Sequence, residues 1–160
     1  MSVLRDLVEG CGATLVETHL QSGNVVFRHP RRAARELEER LGQVIREHLG
    51  LAVVCLVRSR EEIAGTVRAN PFPDRAGSGA RLLVHFLGDD PSPEARIDHD
   101  PSALAPGAIL VGARAIYQWC PDGVLAAPAV GKYVEHRWRV AVTTRNWNTL
   151  TRVQELLATR

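Results

Sequence analysis

The sequence predicts an α+β protein in which helices and short strands follow one another in roughly the same order in both halves of the chain. Two observations support this class. Apolar residues recur at helical spacing in some segments and form short runs rich in β-branched residues in others. Clusters of Gly, Asn and Pro separate these segments and favour turns. The 160 residues suffice for one ordinary domain or for two small ones.

Five elements are predicted in the first half. Leu4, Leu7 and Cys11 recur on one helix face, and Gly12 follows them as a stop signal. The turn after the first strand is rich in Gly and Asn, which tolerate positive φ and therefore favour a hairpin. A continuous apolar run later in this half is typical of a buried strand. In order, the predicted elements are a helix over residues 4–11, strands over 14–20 and 25–28, a helix over 32–49 and a buried strand over 52–57.

The second half repeats a similar order. Ser59 and Glu62 form a capping box, in which each side chain satisfies the other's backbone N–H at a helix start. Prolines break that helix near residue 70. The later predicted elements are a loop over 74–80, strands over 81–87, 108–111 and 115–119, at most a short helix within 89–106, a helix over 130–137 and a last helix from near residue 146.

Composition and charge exclude several classes of function. The 45% apolar content is typical of a globular core, and no apolar run is long enough to span a bilayer. No secretory signal is visible, so we predict a cytoplasmic protein that does not contact membranes. The net charge of +2 and the absence of paired exposed aromatics on the strands argue against a nucleic-acid partner. The three cysteines are too widely spaced for a disulfide framework or a structural zinc site.

Three short motifs differ from their surroundings: QSGNVVF at residues 21–27, NPFP at 70–73 and TTRNWNT at 143–149. In this order and at this spacing they resemble the signature of the bacterial family called domain of unknown function 1697. The resemblance covers essentially the whole chain, and the Pro-Asp-Gly turn at 121–123 supports it. It implies two subdomains of similar ferredoxin-like, βαββαβ-type topology. It implies no activity, because the family has none assigned.

The chain departs from the family pattern in two places. Family members usually begin with a strand and a glycine-rich segment, whereas Met1 falls here where the first helix should begin. We therefore expect that the first subdomain lacks its leading strand, and that a strand-coding segment lies in frame upstream. Members also carry a Ser-Lys pair where this chain has Ala127 and Pro128. Any role of the family's lysine therefore does not carry over to this position. The two subdomains are predicted over residues 1–73 and 74–160.

The segment 143–149 is the best candidate for a binding site. Threonine hydroxyls and the N–H groups of a helix start could surround an anion there, with an arginine closing over it and two asparagines adding donors. In the alternative, structural interpretation, a Thr or Asn caps the helix, the tryptophan anchors it in the core and the arginine forms an ion pair. The candidate ligand-binding residues of this segment are Thr143, Thr144, Arg145, Asn146 and Asn148.

The hairpin turn is a second candidate, with Gln21, Ser22 and Asn24 at the mouth of a groove between the subdomains. Alternatively, these residues only form the turn. The Asp-His-Asp run at 98–100 has no second His at ligand spacing, so no metal is predicted. No phosphate-binding loop or dinucleotide fingerprint occurs, and no cofactor is predicted. Neither His19 nor His85 has a sequence-local partner that would indicate a general base.

Two interpretations of function remain open. The first is a protein that binds a small anionic ligand, such as a nucleotide, between its subdomains. The alternative is an enzyme whose catalytic residues lie partly in a preceding N-terminal segment. The two interpretations make different demands on the structure, since a perturbed acid or base beside the candidate residues is the minimum requirement for the enzyme. The sequence does not predict an oligomeric state.

Overall fold

The computed structural model describes residues 2–19, 23–30 and 33–159, and this part of the chain holds six α-helices and six β-strands. The helices are α1 (Ser2–Gly10), α2 (Ala34–Leu49), α3 (Arg60–Arg68), α4 (Pro93–Asp98), α5 (Val130–Trp138) and α6 (Trp147–Ala158). The strands are β1 (Thr14–His19), β2 (Asn24–Arg28), β3 (Leu82–Leu87), β4 (Ile109–Val111), β5 (Ala115–Trp119) and β6 (Val142–Asn146). Short 3-10 helices cover Pro73–Ser78, Pro101–Leu104 and Val124–Ala126. This mixture in two small sheets confirms the predicted α+β class.

The chain divides into two compact units. Unit 1 comprises residues 1–63 and 152–160, and unit 2 comprises residues 64–151. The division therefore falls within α3 and again within α6. The subdomains predicted from the sequence have other bounds, and their independence as domains stays a prediction. Within the described residues no helix has both the length and the apolar character needed to cross a membrane.

Unit 1 is built on the β1–β2 hairpin. The two strands are antiparallel, with His19 opposite Asn24 at the turn end. Val8 of α1, Val16 of β1 and Val44 of α2 belong to one buried cluster, so both helices pack against the hairpin. Gly50 ends α2 in the left-handed conformation at φ 65°, and its N–H donates to the Arg46 carbonyl at 3.0 Å. The helix–hairpin–helix order of this half is therefore as predicted.

The predicted buried strand over residues 52–57 is wrong. The two-stranded sheet of unit 1 contains only β1 and β2. Val53 and Val54 are 42% and 71% exposed, and the segment ends where the Val57 N–H donates to Glu38 Oε1 at 2.7 Å. An apolar run predicts burial, but it becomes a strand only when a neighbouring strand supplies hydrogen bonds. No strand in the described part of unit 1 pairs with this segment.

The ends of α3 follow the predicted local chemistry. The Ser59 N–H donates to Glu62 Oε2 at 2.8 Å, and the Glu62 N–H donates to Ser59 Oγ at 3.1 Å. This reciprocal pair confirms the capping box. After the helix, the Phe72 N–H donates to Asn70 Oδ1 at 2.9 Å and closes the proline-rich exit. The Phe72 ring is only partly buried.

Unit 2 contains a four-stranded antiparallel sheet in the order β4-β5-β3-β6. Along the chain its main elements are strand, helix, strand, strand, helix and strand, from β3 to β6. That order is compatible with the predicted ferredoxin-like arrangement, which stays a prediction. Leu87 of β3, Ile116 of β5 and Val134 of α5 are fully buried in one cluster, so α5 packs on the sheet.

The sequence prediction missed β6, because it assigned residues 143–145 to the approach of the last helix. These residues pair with β3, with Thr144 opposite His85 and Arg145 opposite Val84. A run of polar residues does not show the apolar alternation typical of a half-buried strand. The β-branched Val142 and the two threonines after it were the available signal. Only the neighbouring edge of β3 makes this segment a strand.

Candidate functional site

The strand β6 separates the residues that the sequence grouped into one anion site. Successive side chains of a strand point to opposite faces of the sheet. Thr143 and Arg145 therefore lie on one face, and Thr144 lies on the other with His85, its partner in the register. The structure does not bring the five candidates of this segment into a single cluster. Their role in ligand binding stays a prediction.

The Arg145 side chain lies along its own strand. Its Nη1 donates to Thr143 Oγ1 at 2.8 Å and to the Thr144 carbonyl at 2.8 Å. Burial lowers the pKa of the Arg145 guanidinium, although arginine stays protonated in proteins. The guanidinium is thus held by strand neighbours on the face opposite to the Thr144 side chain.

The remaining residues of the motif form the start of α6. Asn146 Oδ1 accepts the Thr149 N–H at 2.9 Å, which is the geometry of a helix N-cap. Trp147 is 7% exposed, and its backbone N–H donates to the Gly79 carbonyl at 3.0 Å. The Asn148 side chain lies against Gly79 as well. The contacts of Asn146 and Trp147 are those of the structural interpretation.

The hairpin turn is described only in part. Gln21 and Ser22 lie outside the described residues. Gly23 has a φ of 79°, which Gly adopts readily. Asn24 Nδ2 donates to the His19 carbonyl at 3.3 Å and so closes the turn. A ligand role for this turn stays a prediction.

Unit 2 contains a chain of hydrogen-bonded side chains that the sequence analysis missed. Thr144 Oγ1 lies 2.8 Å from His85 Nδ1, and His85 Nε2 lies 2.9 Å from Gln118 Oε1. Gln118 Nε2 donates to the Pro128 carbonyl at 2.9 Å. His85 and Gln118 are 3% and 1% exposed, whereas Thr144 is exposed. The network therefore connects an exposed residue of β6 to the interior of the unit.

The partners of Gln118 determine which nitrogen of His85 carries a proton. The Pro128 carbonyl can only accept, so the amide nitrogen of Gln118 faces it and the amide oxygen faces the ring. That oxygen requires a donor, which places the proton of a neutral ring on Nε2. His85 Nδ1 is then an acceptor, and the Thr144 hydroxyl donates its proton to it.

Burial also determines the charge of His85. Removal from water lowers the pKa of the ring below its ordinary value of 6.5, and the hydrogen bond to Gln118 acts in the opposite direction but is the smaller effect. The ring is therefore neutral at neutral pH. A neutral imidazole with an unprotonated Nδ1 can accept a proton from the hydroxyl that it contacts.

The first turn of α5 lies beside this hydroxyl. A Cβ placed on Gly131 would come within 3.3 Å of Thr144 Oγ1 and 3.6 Å of His85 Nδ1. Glycine therefore lets the first turn of α5 pack close against the hydroxyl and the His85 ring. The N-cap residue Ala129 supplies no side-chain cap. Among the described residues, no group accepts the backbone N–H of Gly131 or Lys132.

This arrangement combines three chemical groups at the surface of unit 2. The Thr144 hydroxyl directs its proton at His85, so its lone pairs remain available as acceptors. His85 supplies a buried base, and α5 supplies two backbone donors at the positive end of its dipole. Of the residues that the sequence singled out for ligand binding, only Thr144 belongs to this site. His85, Gln118 and Gly131 come from elements distant in the sequence.

Two other features take no part in this site. The Asp-His-Asp run takes part in structural hydrogen bonds, since Asp100 Oδ1 accepts the Ser102 N–H at 2.9 Å and the His99 carbonyl accepts Trp138 Nε1–H at 2.9 Å. No cluster of three or more His, Cys, Asp or Glu in the described part of the chain could hold a metal ion. An open groove of about 690 Å³ in unit 1 is lined by Arg5, Leu15, Val16, Glu17, Thr18, Arg28 and Thr159. None of these is a predicted site residue.

Comparison with known proteins identifies relatives but no activity. A family model described as "Protein of unknown function (DUF1697)" matches residues 1–117. The fold is similar to that of a solved structure, the conserved bacterial protein SP0830 from Streptococcus pneumoniae. The TM-score is 0.68 and the identity is 19%, over 98% of this chain and 88% of that chain. At this identity the likeness concerns the fold alone. No curated protein matches the chain.

Proposed function

Starting from the fact that this chain belongs to the family of proteins of unknown function DUF1697, we propose that it binds a small anionic ligand at the first turn of α5. One observation carries the proposal. The N–H groups of Gly131 and Lys132 have no acceptor in the described residues, and they lie at a helix start that has no side-chain cap.

Unpaired N–H groups at a helix N-terminus favour a negatively charged partner. Their donors and the aligned peptide dipoles together form a site of partial positive charge. An Asp or Ser side chain normally fills that site as a cap. Here the N-cap is Ala129, whose side chain contains no hydrogen-bond acceptor. A carboxylate or phosphate oxygen from a ligand would satisfy the same donors.

The neighbouring threonine indicates what else the ligand carries. Because the Thr144 proton is directed at His85, the Thr144 oxygen offers an acceptor to the ligand. An anionic group with a hydroxyl nearby matches both features. Hydroxy acids and nucleotides have this combination.

The form of the proposal that the sequence predicted has the ligand held between the subdomains by Arg145, Asn146, Asn148 and the Gln21–Asn24 turn. Arg145 and Asn146 already bond to neighbours in β6 and α6, so their contacts give this form no support. It stays a prediction.

Replacing the missing cap tests the binding directly. We expect Ala129→Asp to stabilise the protein by about 1 kcal/mol, because the new carboxylate accepts the unpaired N–H groups of α5. The same carboxylate occupies the place of the anion. We therefore expect inorganic phosphate or a nucleoside monophosphate to raise the Tm of the wild type, and to raise that of the variant much less. Thermal denaturation at constant ionic strength measures both effects.

Ala126→Asp is the matched control, because it introduces the same charge at an exposed position before α5. Its Tm shift with phosphate should equal that of the wild type. If phosphate and the nucleotide leave the wild-type Tm unchanged, the proposal is wrong. It is also wrong if the two aspartate variants lose the shift equally.

A further inference from the structure

We infer that Thr144 is a nucleophile that takes an acyl group from activated carboxylic esters, with His85 as its general base. The inference goes beyond ligand binding and does not require an anion at α5. It rests on the hydrogen-bonded chain Thr144–His85–Gln118. This network is separate from the Asn146 cap and from the Trp147 backbone contact, which explain other residues of the TTRNWNT motif.

The arrangement contains the parts by which an activated hydroxyl is identified. A nucleophile lies within hydrogen-bond reach of a base, and a third group orients that base. Here the hydroxyl is 2.8 Å from His85 Nδ1, and Gln118 fixes the ring from the other side at 2.9 Å. The Pro128 carbonyl fixes Gln118 in turn. His85 is almost completely buried while Thr144 is an exposed residue, so a substrate would approach from the Thr144 side without displacing the ring.

The reaction balances without a cofactor. As Thr144 Oγ bonds to the acyl carbon, its proton passes to His85 Nδ1 and the carbonyl π electrons move to the carbonyl oxygen. When the intermediate collapses, the bond to the leaving oxygen breaks and that oxygen takes the proton from His85. Water then attacks the acyl carbon with His85 accepting its proton. When this second intermediate collapses, the bond from the acyl carbon to Thr144 Oγ breaks and Oγ takes the proton from His85. The products are a carboxylic acid and an alcohol.

The first turn of α5 supports the intermediate. The unpaired N–H groups of Gly131 and Lys132 lie at the turn beside Thr144, where negative charge develops on the carbonyl oxygen. Backbone donors of this kind stabilise such an oxyanion in acyl transfer. Gly131 lets this turn come close to Thr144 Oγ1, because a Cβ there would lie only 3.3 Å from that oxygen.

We expect His85 to be a weaker base than a histidine whose other ring nitrogen contacts a carboxylate. Gln118 accepts the Nε2 proton but carries no charge to stabilise the imidazolium that forms during the reaction. We therefore expect acylation to be slow and to favour esters with a good leaving group, such as p-nitrophenyl acetate. The first turnover should be the clearest signal, because deacylation must expel the Thr144 oxygen, which is a much poorer leaving group than p-nitrophenolate and makes that step slower still.

Acetylation by p-nitrophenyl acetate tests the inference. We expect up to one equivalent of p-nitrophenol released in a burst, and an acetyl group on Thr144 after acid quenching. Trypsin releases residues 140–145 as one peptide, VAVTTR, which contains both threonines but no lysine, histidine or cysteine. Tandem mass spectrometry of this peptide then distinguishes Thr144 from Thr143.

Substitutions at the two threonines provide matched controls. Thr144→Val should abolish the acetylation of this peptide, Thr144→Ser should retain it, and Thr143→Val should leave it unchanged, because Thr143 lies on the other face of β6. His85→Gln should slow it by about 100-fold or more, which is the usual contribution of a general base. If that variant does not fold, the three threonine variants still decide.

Acetylation that is absent from the wild-type peptide, or that survives Thr144→Val, overturns the inference. So does a burst that is equal in Thr144→Val and Thr144→Ser. The inference is also wrong if acetylation occurs only at Lys132 or at histidines other than His85. Failure here leaves the phosphate-induced Tm shift untouched, so this inference and the proposed binding can fail separately.

Discussion

Gln118 determines the state of His85, and through it the properties of Thr144. Its amide is the only partner in the described residues that faces His85 Nε2 at hydrogen-bond distance, and both side chains are almost completely buried. A buried donor without an acceptor loses its hydration and gains nothing in return. We therefore expect the hydrogen bonds of His85 and Gln118 to stabilise the fold, whether or not Thr144 reacts with a substrate.

Removing the amide of Gln118 should destabilise the protein. Gln118→Met keeps a similar volume but leaves the His85 N–H and the Pro128 carbonyl without their partner. We expect the free energy of unfolding to fall by about 2 kcal/mol, from the cost of unsatisfied buried polar groups. Urea denaturation measures this. Gln43→Met is the control, since Gln43 bonds to Glu47 at an exposed site and its loss should cost less than about 0.5 kcal/mol. Equal losses in both variants would contradict the buried network.

At the scale of elements, the start of α6 packs directly on the segment that precedes β3. The Trp147 N–H donates to the Gly79 carbonyl, and the backbone N of Asn148 would lie 3.1 Å from a Cβ on Gly79. Gly79 has an ordinary helical φ of −58°, so its backbone alone does not require glycine. The close contact with Asn148 is what excludes a larger residue. This packing explains two residues of the TTRNWNT motif without a ligand.

We therefore expect Gly79→Ala to lower the free energy of unfolding by about 1–3 kcal/mol, the usual cost of overpacking. Gly77→Ala is the matched control, because a Cβ at Gly77 meets nothing within 4 Å. Chemical denaturation compares the two variants. Adding Asn148→Ala to Gly79→Ala should recover part of the loss, since the nearest atoms belong to the Asn148 side chain. If Gly77→Ala is as destabilising as Gly79→Ala, the contact is not the cause.

On the scale of the whole molecule, stability should differ strongly between segments of similar apolar content. Residues 52–56 and β3 both consist mainly of apolar residues. β3 is paired on both sides, by β5 and β6. No group in the described residues accepts the backbone N–H groups of residues 52–56. The backbone N–H groups of residues 52–56 therefore have no hydrogen bonds to the described residues that would slow their exchange with solvent.

Amide hydrogen exchange should reveal this difference. We expect the amides of residues 52–56 to exchange about 100-fold faster or more than those in the centre of β3, because central strands open only with larger unfolding events. Val54 and Val57 form an internal comparison, since only the Val57 N–H donates to Glu38. Val57 should be the slower of the two. Protection of residues 52–56 equal to that of β3 would mean that the segment is a paired strand in solution.

The elements that the sequence determined by itself depend on residues a few positions apart. The apolar face of α2, its stop at Gly50 and the reciprocal bonds of Ser59 and Glu62 are of this kind. So is the order of helices and strands, which established the α+β class. Within the candidate motif, the sequence also raised the possibility of an Asn cap, and Asn146 has that geometry.

The tertiary structure alone decided which segments pair and which side chains meet. Residues 52–57 have the composition of a strand but no partner, whereas the polar residues of β6 became a strand through β3. Likewise, Thr144 was singled out from its local motif, but its base lies 59 positions away and the orienting Gln118 lies 33 positions from that base. Local periodicity carries no information about such distances, because strand pairing and side-chain networks are formed by the neighbours that folding brings together.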